Sequence, residues 1–250
     1  MTKFNIIRKD STFSTNDDAK LAGPFEVIAA REQLAGRGRI GHAWHAAPGE
    51  SLAFSAVLPA PEDPLHASSL PLVAGLAVCE ALGGECRIKW PNDIFHGGRK
   101  LGGILCERTG DNIVAGIGIN VNETAFPAEI AARATSLRLA TGRKQDIDAV
   151  LGRILDRLGR DYEEWLAHGF ARFTGRYAAR DFLIGRRISV FQTDGDPSPV
   201  SGVYGGVRAD GSILVGDLPV YAGEVHVEVL QPTAENSEIF QIDKSAAILV

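Results

Sequence analysis

Residues 36–41, GRGRIG, combine three glycines with two arginines in six positions. Glycine lets backbone N–H groups converge on an anion, and arginine carries a charge that does not titrate away. The stretch lacks the lysine and hydroxyl residue of a Walker A loop, and no obvious helix with an acidic ribose ligand follows it. We therefore interpret it as an anion-binding loop in which Arg37 and Arg39 supply the charge.

Two later stretches have the composition of apolar strands interrupted by glycine, RKLGGIL (99–105) and GIGIN (116–120). Glycine weakens a strand and often marks a place where something approaches the backbone closely. If the glycines of two adjacent strands lie side by side, the absence of their side chains would leave a flat floor for a planar ligand, with Lys100 and Asn120 beside it. A pair of β-bulges is the alternative explanation of the same glycines.

The segment KWPND (89–93) predicts the end of a strand, because Pro91 fixes its own φ and keeps the preceding residue extended. At a strand end, Asn92 and Asp93 would face a cleft. The alternative is a plain Asx-type turn with no function beyond reversing the chain.

Trp44 is equally suited to stacking on a base and to anchoring the core. His42 and His45 flank it, and two lone histidines in a loop are more often solvated than bound to a metal. The sequence shows no cluster of residues with metal-ligand spacing and no Ser, His and Asp in the order of a catalytic triad. The anion loop and Lys100 are therefore the main candidates for a site. Together these residues suit a site where a carboxylate meets a nucleotide phosphate.

The elements that must position these residues form a domain of mixed strands and helices. Strands are predicted at 4–8, 25–30, 51–59, 86–90, 100–108 and 112–122, and helices at 14–22, 69–84 and 146–170. Short links between the last three strands favour an antiparallel meander. Asp146 is placed to cap the last helix, which is the most clearly amphipathic one.

After about residue 181 the sequence consists of short strand-like stretches separated by turns, which predicts a small β-barrel. The predicted fold class is therefore α+β, with a mixed, largely antiparallel sheet, flanking helices and an appended barrel. We divide the chain into a catalytic domain (1–180), a C-terminal domain (181–231) and a tail without assigned structure (232–250).

Composition excludes several classes of protein. Of 250 residues 45% are apolar and 23% charged, as in ordinary globular chains, and the net charge of −5 disfavours a nucleic-acid surface. The three cysteines show no C-x-x-C spacing, so neither a disulfide framework nor a zinc site is expected. No secretion signal is visible, and the longest apolar stretch, 72–79, is too short to span a bilayer. We expect a cytoplasmic protein without membrane or nucleic-acid partners.

The order of these motifs resembles that of the biotin protein ligases, over residues 4–230. The shared elements are STN (14–16), Gln33, AGRGR (35–39), Trp44, KWPND, RKLGGIL, GIGINVN (116–122) and GEVHVEV (223–229). The resemblance implies the catalytic fold of biotin/lipoate ligases followed by an SH3-like barrel. It also implies that biotin and ATP, with Mg²⁺, form biotinyl-5′-AMP and pyrophosphate before biotin passes to a lysine of a biotin carboxyl carrier domain of a carboxylase.

The resemblance further implies a role for each motif residue. The biotin-binding set is Ser14, Thr15, Asn16, Gln33, Arg37, Gly38, Arg39, Lys100, Gly103, Gly116 and Gly118. The nucleotide-binding set is Trp44, Asn92, Asp93, Lys100 and Asn120. The catalytic set is Lys100, Arg37, Arg39 and Asp93, with Asp93 a candidate to deprotonate the incoming lysine. The arginine loop is expected to close as a lid over the adenylate, and no site residue is assigned to the C-terminal domain.

Two other functions remain open, a lipoate or octanoate ligase-type acyltransferase on the same scaffold and a non-catalytic biotin-binding protein. GRGRIG together with KWPND favours the biotin branch, and the presence of Lys100 with both loop arginines favours catalysis. Only 13 residues precede Ser14, too few for a winged helix-turn-helix, so we expect a ligase without repressor function. Pairing through sheet edges, as in the family, would make a homodimer.

Overall fold

The computed structural model describes residues 2–191 and 198–227 of the chain. The larger unit is built on a seven-stranded sheet in the order β1-β2-β3-β7-β6-β5-β4. Its strands are β1 (Asn5–Thr12), β2 (Glu26–Gln33), β3 (Ser51–Pro59), β4 (Arg87–Lys89), β5 (Asp93–His96), β6 (Arg99–Thr109) and β7 (Asn112–Asn120). β1 and β2 are parallel and the other neighbours antiparallel, which confirms the predicted mixed sheet.

Helices flank this sheet. Within the described residues they are α1 (Thr15–Ala19), α2 (Pro64–Ser68), α3 (Leu70–Leu82), α4 (Leu137–Thr141), α5 (Ile147–His168) and α6 (Thr174–Ala178). α5 begins as predicted, because the Asp146 carboxylate accepts hydrogen bonds from the N–H groups of Asp148 and Ala149 at 2.9 and 3.1 Å. Its apolar face packs on α3, so the longest helix covers the main core.

The sheet separates this core from the face that bears the predicted site. Ile117 of β7 belongs to the main core with α3 and α5, whereas Val114 joins a small cluster with Ala19 of α1. Side chains alternate along a strand, so Gly116 and Gly118 share the face of Val114. The site glycines therefore lie opposite the main core, on the side of α1.

By length and composition alone, the helical stretch Pro64–Leu82 could cross a membrane. The sequence prediction considered only 72–79, but α2 continues through Ser69 into α3 and gives a stretch of 19 residues. Nearly every residue from Leu70 to Cys79 is buried against the sheet and α5. Core helices of globular proteins meet the same criterion, and this burial matches such a helix.

A second, five-stranded antiparallel sheet follows, in the order β11-β10-β9-β8-β12. Its strands are β8 (Arg187–Phe191), β9 (Val200–Val207), β10 (Ile213–Val215), β11 (Leu218–Val220) and β12 (Glu224–Val227). This confirms the appended barrel-like unit, while the boundary between residues 180 and 181 stays a prediction. The end of the strand expected at 224–230 and the tail at 232–250 lie outside the described residues.

Hydrogen bonds join the two units beside the site. The indole N–H of Trp90 donates to the Gly211 carbonyl at 3.0 Å, and the Phe182 N–H donates to the Ile88 carbonyl of β4 at 2.9 Å. Within the C-terminal unit, the Tyr204 hydroxyl donates to the adjacent Asp181 at 2.5 Å. Both Trp90 and Tyr204 are buried. The C-terminal sheet is therefore fixed against the KWPND turn.

The sequence prediction missed β5, β11, α2, α4 and α6, each of which is five residues or fewer. β5 is the important omission, because the residues after Asn92 were interpreted as part of a turn. Only three β4 residues precede the reversal, and Lys89 pairs with Asp93 across it. The KWPND segment is thus the turn of a β-hairpin, and Asp93 begins the second strand.

Glu123 follows β7 and is 5% exposed. Burial raises the pKa of its carboxyl to about 7, and the charge of Glu50 acts in the same direction. Between the ordinary glutamate value of 4.5 and about 7, the native state therefore binds more protons than the unfolded chain. The free energy of unfolding contributed by Glu123 must fall as the pH rises through this interval.

We expect Glu123→Gln, which imitates the protonated carboxyl, to raise the free energy of unfolding at about pH 8 and to flatten its decline from about pH 5. Urea unfolding at the two pH values measures this. The exposed Glu129→Gln is the matched control and should leave the decline unchanged. Burial also raises the pKa of Asp181 to about 6. Asp181 therefore lowers the free energy of unfolding with rising pH by the same amount in all variants. An equal pH dependence in Glu123→Gln and the parent would contradict the assignment.

Candidate active site

One cleft collects nearly all of the predicted site residues. It has an empty volume of about 980 Å³, part of which is open solvent. The predicted residues that line it are Ser14, Thr15, Asn16, Gln33, Arg37, Gly38, Arg39, Trp44, Asn92, Asp93, Lys100, Gly103, Gly116 and Gly118. The structure brings these residues together in one cleft, whereas the functional role of each remains a prediction.

Polar groups at the start of α1 form one end of the cleft. Ser14, Thr15 and Asn16 are each 4% exposed. The Thr15 backbone N–H donates to Gln33 Oε1 at 2.8 Å, and Asn16 Nδ2 donates to Glu107 Oε2 at 2.6 Å. Buried polar groups held in this way present fixed hydrogen-bonding atoms to a ligand.

Gly103 of β6 lies opposite Gly118 of β7, but the glycines of the two strands do not make the predicted flat floor. A Cβ on Gly116 would lie 2.0 Å from Asn16 Oδ1, and a Cβ on Gly118 would lie 2.6 Å from Cε2 of Trp44. These two glycines make room for side chains of the cleft wall. Gly103, opposite Gly118, is the one with ordinary space above it.

The pairing of the strands tests the bulge alternative. β6 and β7 keep a regular register from Gly102 to Thr109. Between β5 and β6 the register shifts, because Ile94 pairs with Gly102 and Phe95 with Lys100, which leaves Leu101 as an extra residue of β6. A bulge therefore lies in β6 beside Gly102, whereas the glycines of β7 lie in a regular register.

The GRGRIG loop is an ordered turn. Trp44 N donates to the Gly36 carbonyl at 2.8 Å, and Gly38 N donates to the His42 carbonyl at 2.7 Å. These bonds bring the two arms of the loop together as in a small hairpin. The lid motion predicted for it stays a prediction.

The two loop arginines point to different ends of the cleft. Arg37 Nη2 pairs with Asp17 Oδ1 at 2.5 Å. Arg39 Nη1 reaches Asn92 Oδ1 at 3.3 Å and the Gly223 carbonyl of the second sheet at 3.4 Å. Burial lowers the pKa of Arg39, while the charges of Asp93 and Glu224 act against that shift. An arginine so desolvated interacts strongly with any phosphate that enters.

Lys100 and Asp93 form an ion pair at the centre of the cleft, with Nζ and Oδ1 2.6 Å apart. The lysine side chain is 41% exposed and the carboxylate 21%. A strongly hydrated ammonium on a flexible stem can leave such a partner for a ligand anion. Lys100 is therefore the cation best placed to move onto a substrate.

Asn92 does more for the turn than was predicted. Its Nδ2 donates to the Ile104 carbonyl at 2.8 Å, and the Ile104 N–H donates back to the Asn92 carbonyl at 2.9 Å. Its Oδ1 accepts the contact from Arg39. The side chain ties the hairpin turn to β6 rather than closing an Asx turn, and it faces the cleft with both amide atoms engaged.

The structure does not bring Asn120 into the lining of the cleft. This residue is 5% exposed at the end of β7, and its Nδ2 donates to the Thr135 carbonyl at 3.0 Å. In the described conformation Asn120 therefore binds Thr135 and does not line the cleft, and its nucleotide-binding role stays a prediction. The contact holds the segment before α4 against β7.

Lys89 and the second sheet are functional candidates that sequence reasoning missed. Lys89, Glu224 and Val225 line the cleft. Burial lowers the pKa of Lys89, Asp93 opposes the shift, and Lys100 adds to it. The sequence assigned no site residue to the C-terminal domain, whereas in the structure β12 closes the cleft beside Arg39. Lys89 is the first residue of KWPND, so the sequence could have indicated it. Glu224 lines the cleft only because the two sheets pack together, which no local sequence pattern indicates.

Metal ligands are not assembled in the cleft. The described residues contain no group of three or more His, Cys, Asp or Glu side chains able to hold a metal ion. A Mg²⁺ ion usually keeps several waters and binds through one or two carboxylates together with substrate phosphates. Among the described residues that line the cleft, Asp93 and Glu224 carry carboxylates, and Asp93 is the one paired with Lys100.

Gly118→Ala should displace the Trp44 indole, because the new Cβ would lie 2.6 Å from it. Trp90 and Trp165 are 3% and 0% exposed, so acrylamide quenching of tryptophan fluorescence mainly senses Trp44. We expect stronger quenching in Gly118→Ala, with a cooperative thermal transition retained. Gly103→Ala, whose nearest contact would be at 3.6 Å, is the control. Equal quenching in both variants would show that Gly118 does not set the Trp44 position.

Comparison with known proteins identifies the family. Residues 7–123 match the Biotin/lipoate A/B protein ligase family. The bifunctional ligase/repressor BirA of Bacillus subtilis is 39% identical over 156 residues, 58% of this chain and 48% of that protein. The chain thus spans about half the length of this relative. The biotin–[acetyl-CoA-carboxylase] ligase of Paracoccus denitrificans is 32% identical over 226 residues, 82% of this chain and 91% of that protein.

Solved structures agree with the sequence comparison. A biotin protein ligase from Aquifex aeolicus, in complex with biotin and ATP, superposes with a TM-score of 0.80 and 30% identity. The match covers 90% of this chain and 98% of the Aquifex chain, so it includes both sheets. The resemblance inferred from the motifs is confirmed, and the chain belongs to the biotin protein ligases of the biotin/lipoate A/B protein ligase family.

Proposed function

We propose that the protein is a biotin protein ligase that uses ATP to make biotinyl-5′-AMP and then transfers biotin to a lysine of a biotin carboxyl carrier domain. One observation carries this proposal. A single cleft holds a buried hydrogen-bonding end at Thr15 and Gln33 and, further along, the cations Arg37, Arg39 and Lys100. The polar end suits the ring of biotin, and the cations suit a carboxylate meeting a phosphate.

The first step joins two anions, and the chain supplies the charge to do so. A carboxylate oxygen of biotin attacks the α-phosphorus of ATP, the bond to the bridging oxygen breaks, and pyrophosphate leaves. Negative charge builds on the phosphate oxygens in the transition state, where fixed cations in a partly desolvated cleft act most strongly. Lys100 is placed to leave Asp93 and bind between the two anions, while Arg39 is held by Asn92 and Gly223.

The second step needs a neutral amine. The lysine of the carrier attacks the biotinyl carbonyl, the bond to AMP breaks, and the amine loses a proton. Once Lys100 binds the substrate, Asp93 is free to accept that proton at the edge of the same cleft. In this proposal the GRGRIG loop closes over the adenylate, because an acyl adenylate exposed to water would be hydrolysed.

The proposal includes Mg²⁺ as the ion that accompanies ATP. The cleft offers it Asp93 and the phosphates rather than a cage of protein ligands, which is the usual arrangement for this ion. The ion would neutralise phosphate charge. The steps above otherwise rest on the chain's own residues.

The partner of the second step is a carrier domain of a biotin-dependent carboxylase, and we place the reaction in the cytoplasm, where ATP is present. A homodimer is also part of the proposal, through the edge strand β1, whose residues are mostly exposed. Sedimentation of the protein with and without biotin tests the dimer. A single species of monomer mass in both cases would contradict it.

ATP–pyrophosphate exchange measures whether the protein activates biotin or instead activates lipoate or octanoate. We expect exchange with biotin and little with lipoate or octanoate. Exchange with lipoate or octanoate instead would favour the acyltransferase alternative. A folded protein that binds biotin without any exchange would be a biotin-binding protein and would contradict the proposed activity.

We expect Lys100→Ala to lower the rate of biotin-dependent exchange at least about 100-fold, because it removes the mobile cation from the developing charge. The neighbouring Arg99→Ala is the matched control, since Arg99 is exposed on the same strand and outside the cleft. Circular dichroism and thermal unfolding verify the fold of both variants. Retention of full activity in Lys100→Ala would overturn the site assignment.

A further inference from the structure

Lys89 differs from the other cations of the cleft, because its charged group has no partner of its own. Arg37, Arg39 and Lys100 each contact a carboxylate, an amide or a carbonyl oxygen. Within the part of the chain that the structure describes, the Lys89 ammonium has neither a hydrogen bond nor an ion pair. Its Nζ lies 5.9 Å from the centre of the Phe95 ring, at the outer limit of a cation–π contact.

Burial makes this lack of a partner unfavourable. Lys89 is half-buried in the lining of the cleft, and burial lowers the pKa of its ammonium. Asp93 and Glu224 oppose that shift, but the Asp93 carboxylate already pairs with Lys100 at 2.6 Å. A partly desolvated cation is more stable with an anion beside it, so this position favours an anionic ligand.

The charges around Lys89 do not cancel. Among the described residues of the lining, this end of the cleft holds three cations and two carboxylates, namely Arg39, Lys89, Lys100, Asp93 and Glu224. Both carboxylates act on Arg39 as well as on Lys89. The excess of positive charge attracts a ligand that carries several negative charges.

The order of the strands places Lys89 far from the polar end of the cleft. α1, which carries that end, packs on β2, β3 and β7. The sheet continues from β7 to β6, which carries Lys100, then to β5, which begins with Asp93, and finally to the edge strand β4. Lys89 is opposite Asp93 in the pairing of β4 with β5. Lys100 and Lys89 therefore belong to strands on opposite sides of β5, and Lys89 is on the one farther from the polar end.

The first step of the proposed reaction sends negative charge toward this strand. The carboxylate oxygen of biotin attacks the α-phosphorus from the polar end, and the breaking bond lies roughly in line with the forming bond. The electron pair of the breaking bond goes to the bridging oxygen of pyrophosphate, and no proton is transferred. Charge therefore builds on the side of the phosphorus that faces away from biotin.

We propose that Lys89 binds the β- and γ-phosphates of ATP and stabilises the pyrophosphate that leaves. The inference rests on the proposed function and adds to it a catalytic residue for the leaving group, separate from Lys100 and Arg39. Since the Lys89 ammonium has no partner in the free protein, it binds this anion without breaking an ion pair. In the reverse direction, the same contact holds pyrophosphate for its attack on the adenylate.

Lys89→Met tests this proposal, because methionine keeps an unbranched apolar stem beside Phe95 and removes the charge. We expect the KM for pyrophosphate in biotin-dependent exchange to rise at least about tenfold, or about 1.4 kcal/mol, the size of one hydrogen bond to a charged group. Calorimetry should show the same loss of affinity for magnesium pyrophosphate, while the affinity for biotin stays within about twofold. Lys89→Arg keeps the charge and should recover most of the affinity for pyrophosphate.

The second step of the reaction separates this role from two others. Transfer from preformed biotinyl-5′-AMP to a carrier domain involves no pyrophosphate, so Lys89→Met should keep the parent rate of transfer within about twofold. If Lys89 instead removed the proton of the carrier lysine, transfer would slow and the KM for pyrophosphate would stay at the parent value. If Lys89 only held Asp93 in place, both steps would slow without a change in that KM. Either result would overturn the proposal.

Lys144→Met is the matched control for net charge, since Lys144 is exposed and outside the cleft. Circular dichroism and thermal unfolding verify the fold of all variants. Unchanged pyrophosphate binding in Lys89→Met, or an equal loss in Lys144→Met, would overturn the inference and leave the ligase proposal intact. A folded parent protein without any exchange would contradict the proposed function, whereas binding of magnesium pyrophosphate to it that depends on Lys89 would still support the anion site.

Discussion

The antiparallel pairing of β6 with β7 is the constraint on which the cleft depends. Its regular register sets Gly103 opposite Gly118 and Leu105 opposite Gly116, on the face away from the main core. Without side chains at 116 and 118, Asn16 and Trp44 approach the sheet closely enough to form two walls. Lys100 lies near the start of β6 and pairs with Phe95 of β5, so the principal cation is positioned by the other pairing of the same strand.

Three cations of the cleft have partners before any substrate enters. Lys100 pairs with Asp93, Arg37 pairs with Asp17, and Arg39 lies between Asn92 and the second sheet. Each of these cations therefore keeps a partner that it can exchange for a ligand anion without being left buried and unpaired. The small C-terminal sheet participates in this balance, because Gly223 and Glu224 face Arg39. The buried hydrogen bond from Trp90 to Gly211 joins the two units beside this site.

The sequence alone was sufficient to predict features that a single helix or strand determines. The period of apolar residues and Asp146 defined α5, and the continuous apolar run from Ser51 defined β3. The motif residues were also recognised, because glycine, proline and charge are unusual within apolar strands. What failed depends on packing between distant segments. Asn120 turned out to bind Thr135, and the glycines turned out to accommodate Asn16 and Trp44. Ser55 and Glu107 carry no local signal, because their common partner Asn16 is 39 and 91 positions away. Glu224 carries none because it lines the cleft from the other sheet.

The central claim is that this cleft makes an acyl adenylate from biotin and passes it to an amine. The most direct test is a single turnover with α-labelled ATP and excess protein, followed by addition of a lysine-bearing carrier domain. The account predicts a labelled biotinyl adenylate that stays with the protein, requires biotin, and releases labelled AMP as the carrier becomes biotinylated. Labelled AMP released without biotin, or an adenylate that never reaches the carrier lysine, would contradict it.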